Sequence, residues 1–166
     1  AIDLGFERYS IVEHAPLPEG VLKDDALLPE FGLLHDEIKP YFKHIQELKH
    51  TYNNKIEILA GMEVDFFETR IEYTRDLLDS LSNQLDDVII SSHFLPVGDR
   101  YLAIDYSPEE VTQGLVGFYG SIDEVFNRYW WTIKKMLTVN FKLPVSKRIG
   151  HIGLIHKFHN AINQIT

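Results

Sequence analysis

The 166-residue sequence contains no cysteine, so it can form neither a disulfide nor a thiolate metal site. Basic residues are also few: 16 Lys and Arg stand against 25 Asp and Glu, which gives a net charge of −9 at pH 7. Nucleic-acid binding needs clustered Lys and Arg, so this balance argues against that partner. Because the sequence has no cysteine, any metal ion must be held by His, Asp or Glu.

Long apolar runs are absent as well. No run reaches the length of a membrane span, and no signal-peptide pattern opens the chain. We therefore expect no membrane partner, and the cytoplasm is the default compartment. The apolar and charged fractions, 45% and 25%, are ordinary for a globular domain.

The length suits one domain with a core of its own. The chain begins with Ala1 rather than Met, and residues 160–166 end abruptly. We therefore expect residues 1–166 to be part of a single domain whose remaining segments lie outside this sequence.

Short apolar runs alternate with helical patterns along the chain. The β-type runs are Tyr9–Val12, Ile56–Ala60, Val88–Ser91 and Arg148–Ile152. A first helix is predicted from near Lys39 and a second around Leu77, and the capping boxes at Ser107–Glu110 and Ser121–Glu124 predict two more. The segment after the third run reads as a polar loop. This alternation predicts an α/β fold with a parallel sheet, and we favour a (β/α) barrel, incomplete as shown, over an open sheet.

Side chains that can bind metal lie at the ends of these four runs. His14 follows the first, Glu63 the second and His93 the third, while His151 lies in the fourth. The carboxyl ends of the strands in a (β/α) barrel face one mouth, where active sites are built. Three imidazoles and one carboxylate that meet there suit Zn, Mn or Fe without selecting among them.

Each of these residues has an ordinary structural interpretation when taken alone, since a single His at a strand end more often makes a structural hydrogen bond. Four such positions at successive strand ends favour a site instead. Asp65 lies two residues beyond Glu63 and can share its face, which makes it a candidate for a supporting role. Arg100, in the predicted polar loop, is a candidate phosphate clamp because a guanidinium matches phosphate geometry. His44 is interpreted as a solvated helix residue.

The sequence around these residues resembles one family. The segments Val12–His14, Gly61–Asp65, Ile90–Leu95 and Arg148–Leu154 are similar, in order, to motifs of the PHP (polymerase and histidinol phosphatase) family. The Ser-Ser-His-Phe-Leu segment resembles the histidinol-phosphate phosphatase branch most closely. The correspondence runs from about Tyr9 to Phe158. The family's opening His-x-His and closing Asp-x-His motifs are not present.

The resemblance implies a distorted TIM-like barrel that holds two or three divalent ions. It assigns Glu63 as a bridge between two metals, His93 and His151 as ligands that complete one site, and His14 as a ligand close to the substrate phosphate. The implied catalytic residues are therefore His14, Glu63 and His93. The implied reaction is hydrolysis of a phosphomonoester, histidinol phosphate in histidine biosynthesis, by a metal-bridging hydroxide.

Two other functions stay open at this point. One is a PHP phosphoesterase that acts on another small phosphate ester or on a nucleotide. The other is a non-catalytic PHP module, for which lost metal motifs are the expected mark. Fold analogy does not separate these readings. The sequence also leaves the oligomeric state and the proton donor undetermined.

Overall fold

The structure is a computed structural model, and it describes residues 1–141 and 145–158. The strands are β1 (Arg8–His14), β2 (Glu57–Asp65), β3 (Asp87–Ser91), β4 (Phe94–Val97), β5 (Arg100–Ala103) and β6 (Ser146–Ile149). The α-helices are α1 (Ile38–Tyr52), α2 (Ile71–Leu81), α3 (Val116–Tyr119) and α4 (Ile122–Thr138). A π-helical turn at Glu110–Leu115 leads into α3, and short 3-10 helices occupy Ile2–Leu4, Asp25–Glu30 and Leu154–His156.

Four strands form one parallel sheet in the order β1-β2-β3-β6. The strands that are neighbours in this sheet follow one another along the chain, with helices between them, so the predicted α/β fold with a parallel sheet is confirmed. Over the described ranges the sheet is open, with β1 and β6 at its edges. Closure into a barrel therefore stays a prediction.

The sheet is buried by helices whose apolar residues recur at helical spacing. Phe42 and Ile45 of α1 and Leu78 of α2 pack with Met62 of β2 and Tyr129 of α4 in one large cluster, here called the main core. The strand residues of this cluster alternate along the chain, Ala60, Met62 and Val64 in β2 and Val88 and Ile90 in β3, so they lie on the face of the sheet that the helices cover. Both predicted helix starts are confirmed, since the Glu110 and Glu124 N–H groups donate to the serine hydroxyls three residues earlier. The Glu110 carboxylate accepts from the Ala103 N–H rather than completing a capping box.

The segment after β3 is not the predicted polar loop. It forms an antiparallel hairpin, β4–β5, in which Val97 pairs with Arg100 across a two-residue turn. Gly98 adopts a φ of +67° in that turn, a conformation that glycine accepts without strain. Pro96 lies within β4, where an edge strand of a two-stranded sheet tolerates a missing N–H.

A second, smaller cluster lies beyond the carboxyl ends of the strands. It joins the loop after β1, the connection after β2 and the hairpin after β3, and is called here the mouth cluster: Leu17, Val21, Leu22, Phe67, Phe94, Tyr101 and Ala103. The Tyr101 N–H donates to the Val21 carbonyl at 2.9 Å, which ties the hairpin to the loop. The helices of the described part of the chain include none with the length and apolarity of a membrane span.

Candidate metal centre

The four predicted ligands lie at the carboxyl-terminal ends of the strands of the parallel sheet. His14 is the last residue of β1, and it pairs with Glu63 in the register of β1 and β2. Glu63 was expected to follow its strand, but β2 continues to Asp65 and includes it. His151 was expected inside the fourth strand, but β6 ends at Ile149, and His151 lies beyond it as His93 lies beyond β3.

Glu63 stands at the middle of this group. Its Oε1 lies 3.2 Å from His151 Nε2 and 3.5 Å from His93 Nε2. Its Oε2 faces the other way, 4.0 Å from His14 Nε2. The two imidazoles on the Oε1 side also approach each other, with 3.2 Å between their Nε2 atoms. One carboxylate therefore points its two oxygens at different histidines.

Asp65 is in direct contact with His93. Its Oδ1 accepts from the His93 ring at Nδ1 (2.8 Å) and from the His93 backbone N–H (3.2 Å). With Nδ1 donating to the carboxylate, Nε2 is the ring atom that faces Glu63 and His151. Burial lowers the pKa of His93, but the charge and hydrogen bond of Asp65, with Asp105 and Glu63, outweigh it and raise this pKa to about 9.

Two overlapping groups of side chains could hold a metal ion among the residues described. One is His14, Asp65 and His93, and the other is Glu63, His93 and His151; in each, the ligand atoms lie within 4.8 Å of one another. Imidazole nitrogens and carboxylate oxygens are suitable donors for Zn, Mn or Fe. Within the described ranges the buried Nδ1 of His14 has no hydrogen-bond partner, which fits a ligand atom.

A cavity of about 470 Å³ opens next to these residues, and His14, Asp65 and His93 form part of its wall. Four other carboxylates line it: Glu13, Glu30, Glu37 and Asp105. Three aromatic rings also line it: Phe31, Phe94 and Tyr106. The cavity thus combines negative charge with flat apolar surfaces beside the histidines.

The structure does not bring Arg100 to this cluster. Arg100 starts β5 at the turn of the hairpin, where its Nη1 donates to the backbone carbonyls of Leu22 and Lys23. It does not line the 470 Å³ cavity. Its role as a phosphate clamp therefore stays a prediction, and its observed role is to hold the hairpin to the loop after β1.

The sequence alone indicated no role for Ser91, although the residue lies in the motif Ile90–Leu95. Ser91 ends β3 and its hydroxyl donates to Glu63 Oε1 at 2.5 Å. The available signal was its position: a hydroxyl at the carboxyl end of a strand that neighbours the strand of Glu63.

Comparison with known proteins decides the family. The model of the PHP domain matches residues 1–165. This chain belongs to the PHP domain family. A histidinol-phosphatase of Bacillus subtilis (strain 168) is 33% identical over 158 residues, which are 95% of this chain and 58% of that protein.

Two solved structures of the PHP chain's relatives have a similar fold. One, from Listeria monocytogenes and assigned as a histidinol phosphatase, is 33% identical with a TM-score of 0.89 and covers 97% of this chain. The other, histidinol phosphate phosphatase of Lactococcus lactis complexed with Zn, L-histidinol and phosphate, is 20% identical with a TM-score of 0.67 and covers 94%. Their likeness extends over 61% and 50% of those chains, so this PHP chain spans only part of the relatives it matches.

Proposed function

We propose that this PHP protein is a metal-dependent phosphomonoester hydrolase that acts on histidinol phosphate. The observation that carries the proposal is the position of Glu63, whose two oxygens face two ligand groups that share His93. A carboxylate between two such groups is suited to bridge two ions, as the family resemblance implies.

The proposed cofactors are two or three ions of Zn, Mn or Fe. When bound, such ions supply Lewis acidity toward water and toward the phosphate oxygens. Glu63, His93 and His151 would hold one ion, and His14 would take part in holding another. Asp65 orients the His93 ring, so that its Nε2 is directed to the centre. The leaving alkoxide needs a proton, and Asp105 faces the cavity in which it would form.

The lining of the cavity supports the choice of substrate. Histidinol phosphate carries an amine and a flat imidazole beside its phosphate. The four carboxylates and three aromatic rings of the cavity can attract the amine and pack against the ring, whereas they offer nothing of this kind to a purely anionic ester. The Bacillus relative is named for this activity, and a step of histidine biosynthesis would also place the protein in the cytoplasm.

A substrate panel with metal reconstitution tests the proposal. The purified protein, loaded in turn with Zn, Mn or Fe, is given L-histidinol phosphate, p-nitrophenyl phosphate, a nucleoside monophosphate and a phosphodiester, and released phosphate is measured. We expect histidinol phosphate to be preferred in kcat/KM by at least about tenfold, roughly 1.4 kcal/mol of discrimination. A chelator should abolish the activity, and added metal should restore it.

The other outcomes identify the alternatives. Equal rates on all small esters would contradict the assigned substrate and indicate a general phosphoesterase. Metal binding without hydrolysis of any ester would contradict the enzymatic proposal and indicate a non-catalytic module.

A further inference from the structure

The hydroxyl of Ser91 contacts the atom on which the proposed centre depends. Ser91 is buried, and its Oγ donates to Glu63 Oε1 at 2.5 Å. This oxygen is the one that also faces His93 Nε2 and His151 Nε2. Because the hydroxyl fixes the rotation of the carboxylate, Oε2 is left facing His14 on the opposite side.

Gly150 leaves the space that this hydroxyl occupies. A Cβ at position 150 would lie 1.9 Å from Ser91 Oγ and 3.1 Å from Ile89 Cγ2. Gly150 is not among the glycines with positive φ, so the backbone itself would accept alanine. What requires glycine here is the close approach of Ser91, at the residue directly before His151.

We propose that Ser91 is a positioning residue for the metal centre and that Gly150 is retained to make room for it. In this assignment the hydroxyl holds the Glu63 carboxylate in the rotation that faces both ligand groups, and does not itself touch substrate. Partners that orient a metal ligand commonly change metal affinity by about 10- to 100-fold. The inference rests on the proposed metal-dependent function, since it concerns the same site.

Ser92 provides a matched control. It is the next residue, it is buried to a similar degree, and its Oγ has no hydrogen-bond partner in the part of the chain that the structure describes. Ser91→Ala and Ser92→Ala therefore remove the same atom from neighbouring buried positions, and only the first removes a contact with Glu63.

The first experiment measures the affinity for Zn²⁺ alone by competition with a chromophoric chelator. Ser91→Ala should bind the ion about 10- to 100-fold more weakly than the unaltered protein, while Ser92→Ala stays within about twofold. The thermal midpoints of the two metal-free variants should agree. Ser91→Thr, which keeps the donor, should recover at least part of the affinity. Equal affinities of the two alanine variants would overturn the proposal.

The second experiment is a double-mutant cycle on the same readout. Gly150→Ala should weaken Zn²⁺ binding, because its Cβ displaces the Ser91 hydroxyl. In a Ser91→Ala background the 1.9 Å contact is gone and only the 3.1 Å contacts with Ser91 Cβ and Ile89 Cγ2 remain, so Gly150→Ala should cost clearly less affinity there. Strictly additive losses would contradict the assigned link between the two residues.

Failure of this inference can be told apart from failure of the proposed function. If the unaltered protein hydrolyses histidinol phosphate and Ser91→Ala keeps its metal, only the positioning role is wrong. If the unaltered protein binds Zn²⁺ but hydrolyses no ester, the function is wrong, and the ratio of the two alanine variants still decides the role of Ser91. If it binds no Zn²⁺, both are wrong.

Discussion

The main core and the mouth cluster are built in different ways. The main core packs helices against strands whose backbone groups pair in a continuous parallel ladder. The mouth cluster joins three separate connections, held by single contacts such as Thr69 N–H to the Tyr101 hydroxyl at 3.2 Å. The proposed metal ligands are fixed by strands of the first region, whereas most of the cavity wall is supplied by loops of the second. Metal binding and substrate choice should therefore respond to different mutations.

The largest effect is expected from the metal ligands. Glu63→Gln should reduce kcat/KM for histidinol phosphate by about a thousandfold or more, since metal ions contribute several kcal/mol at about 1.4 kcal/mol per tenfold. Bound metal should fall in parallel, while the circular dichroism spectrum stays unchanged. Activity, metal content and spectrum are measured on one preparation.

His93→Ala should behave in the same way, since both ligand groups include His93. His44→Ala is the control, because this exposed residue of α1 makes a long contact of 3.8 Å with Glu47 and no shorter polar contact among the described residues. A Glu63→Gln protein with full metal and activity would show that the site is wrongly assigned.

The next largest effect is expected on the free energy of unfolding, and it should differ between the two regions. Leu78 of the main core is 0% exposed, so Leu78→Ala should lower the free energy of unfolding by about 2–5 kcal/mol. Leu22→Ala in the mouth cluster should cost less in global unfolding, because that region can open locally, and should raise KM severalfold. Urea unfolding and initial rates check both. An equal loss of stability in the two variants would contradict the separation of the regions.

A smaller effect concerns Asp87, which joins three strands of the sheet. Its carboxylate accepts from Ser10 Oγ at 2.7 Å and from the Arg148 guanidinium. Burial opposes its ionisation, but these hydrogen bonds and the charge of Arg148 outweigh burial and hold the pKa of Asp87 below its usual value.

Since the folded state lowers this pKa, the carboxylate stabilises the fold above the ordinary Asp value of about 3.9 and ceases to do so as pH falls through the folded value. Asp87→Asn should therefore cost roughly 1–3 kcal/mol at pH 7 and less as the pH approaches 3. Urea unfolding across this range checks it. A constant difference at every pH would show that the charge of Asp87 is not the cause.

The smallest effect tests the cavity wall. Glu30→Gln removes one exposed carboxylate, which accepts from the Tyr106 hydroxyl at 3.0 Å. We expect KM for histidinol phosphate to rise about three- to fivefold, near the 1 kcal/mol limit for exposed charge pairs, with kcat unchanged. KM for p-nitrophenyl phosphate should not rise. A parallel rise in KM for both esters would indicate a general disturbance of the cavity.

The sheet and most of the candidate metal centre could be predicted from the sequence because both depend on regular patterns. Alternating apolar runs and helical spacing locate β1, β2 and β3 within a few residues, and parallel strands bring their carboxyl ends together. That reasoning places His14, Glu63 and His93 at one edge without any knowledge of their side-chain contacts.

The mouth cluster and the hairpin that contributes to it could not be predicted in the same way. The hairpin β4–β5 was missed, although Gly98 and Asp99 between two apolar runs are a hairpin signal. Arg100 was considered because a guanidinium matches phosphate. Its guanidinium instead donates to backbone carbonyls of residues 77 and 78 positions away in sequence. Such contacts depend on how loops fold over each other, which no periodicity encodes.

The carboxylates of the cavity wall also exert an electric field on charged molecules before these bind. Glu13, Glu30, Glu37 and Asp105 surround one opening in a chain of net charge −9, so without bound metal their field repels small anions over roughly a Debye length, about 8 Å at physiological salt, and the proposed divalent ions would offset it. We therefore expect the entry of anionic esters to depend on how much metal is bound, and added salt should speed their entry into the metal-free protein.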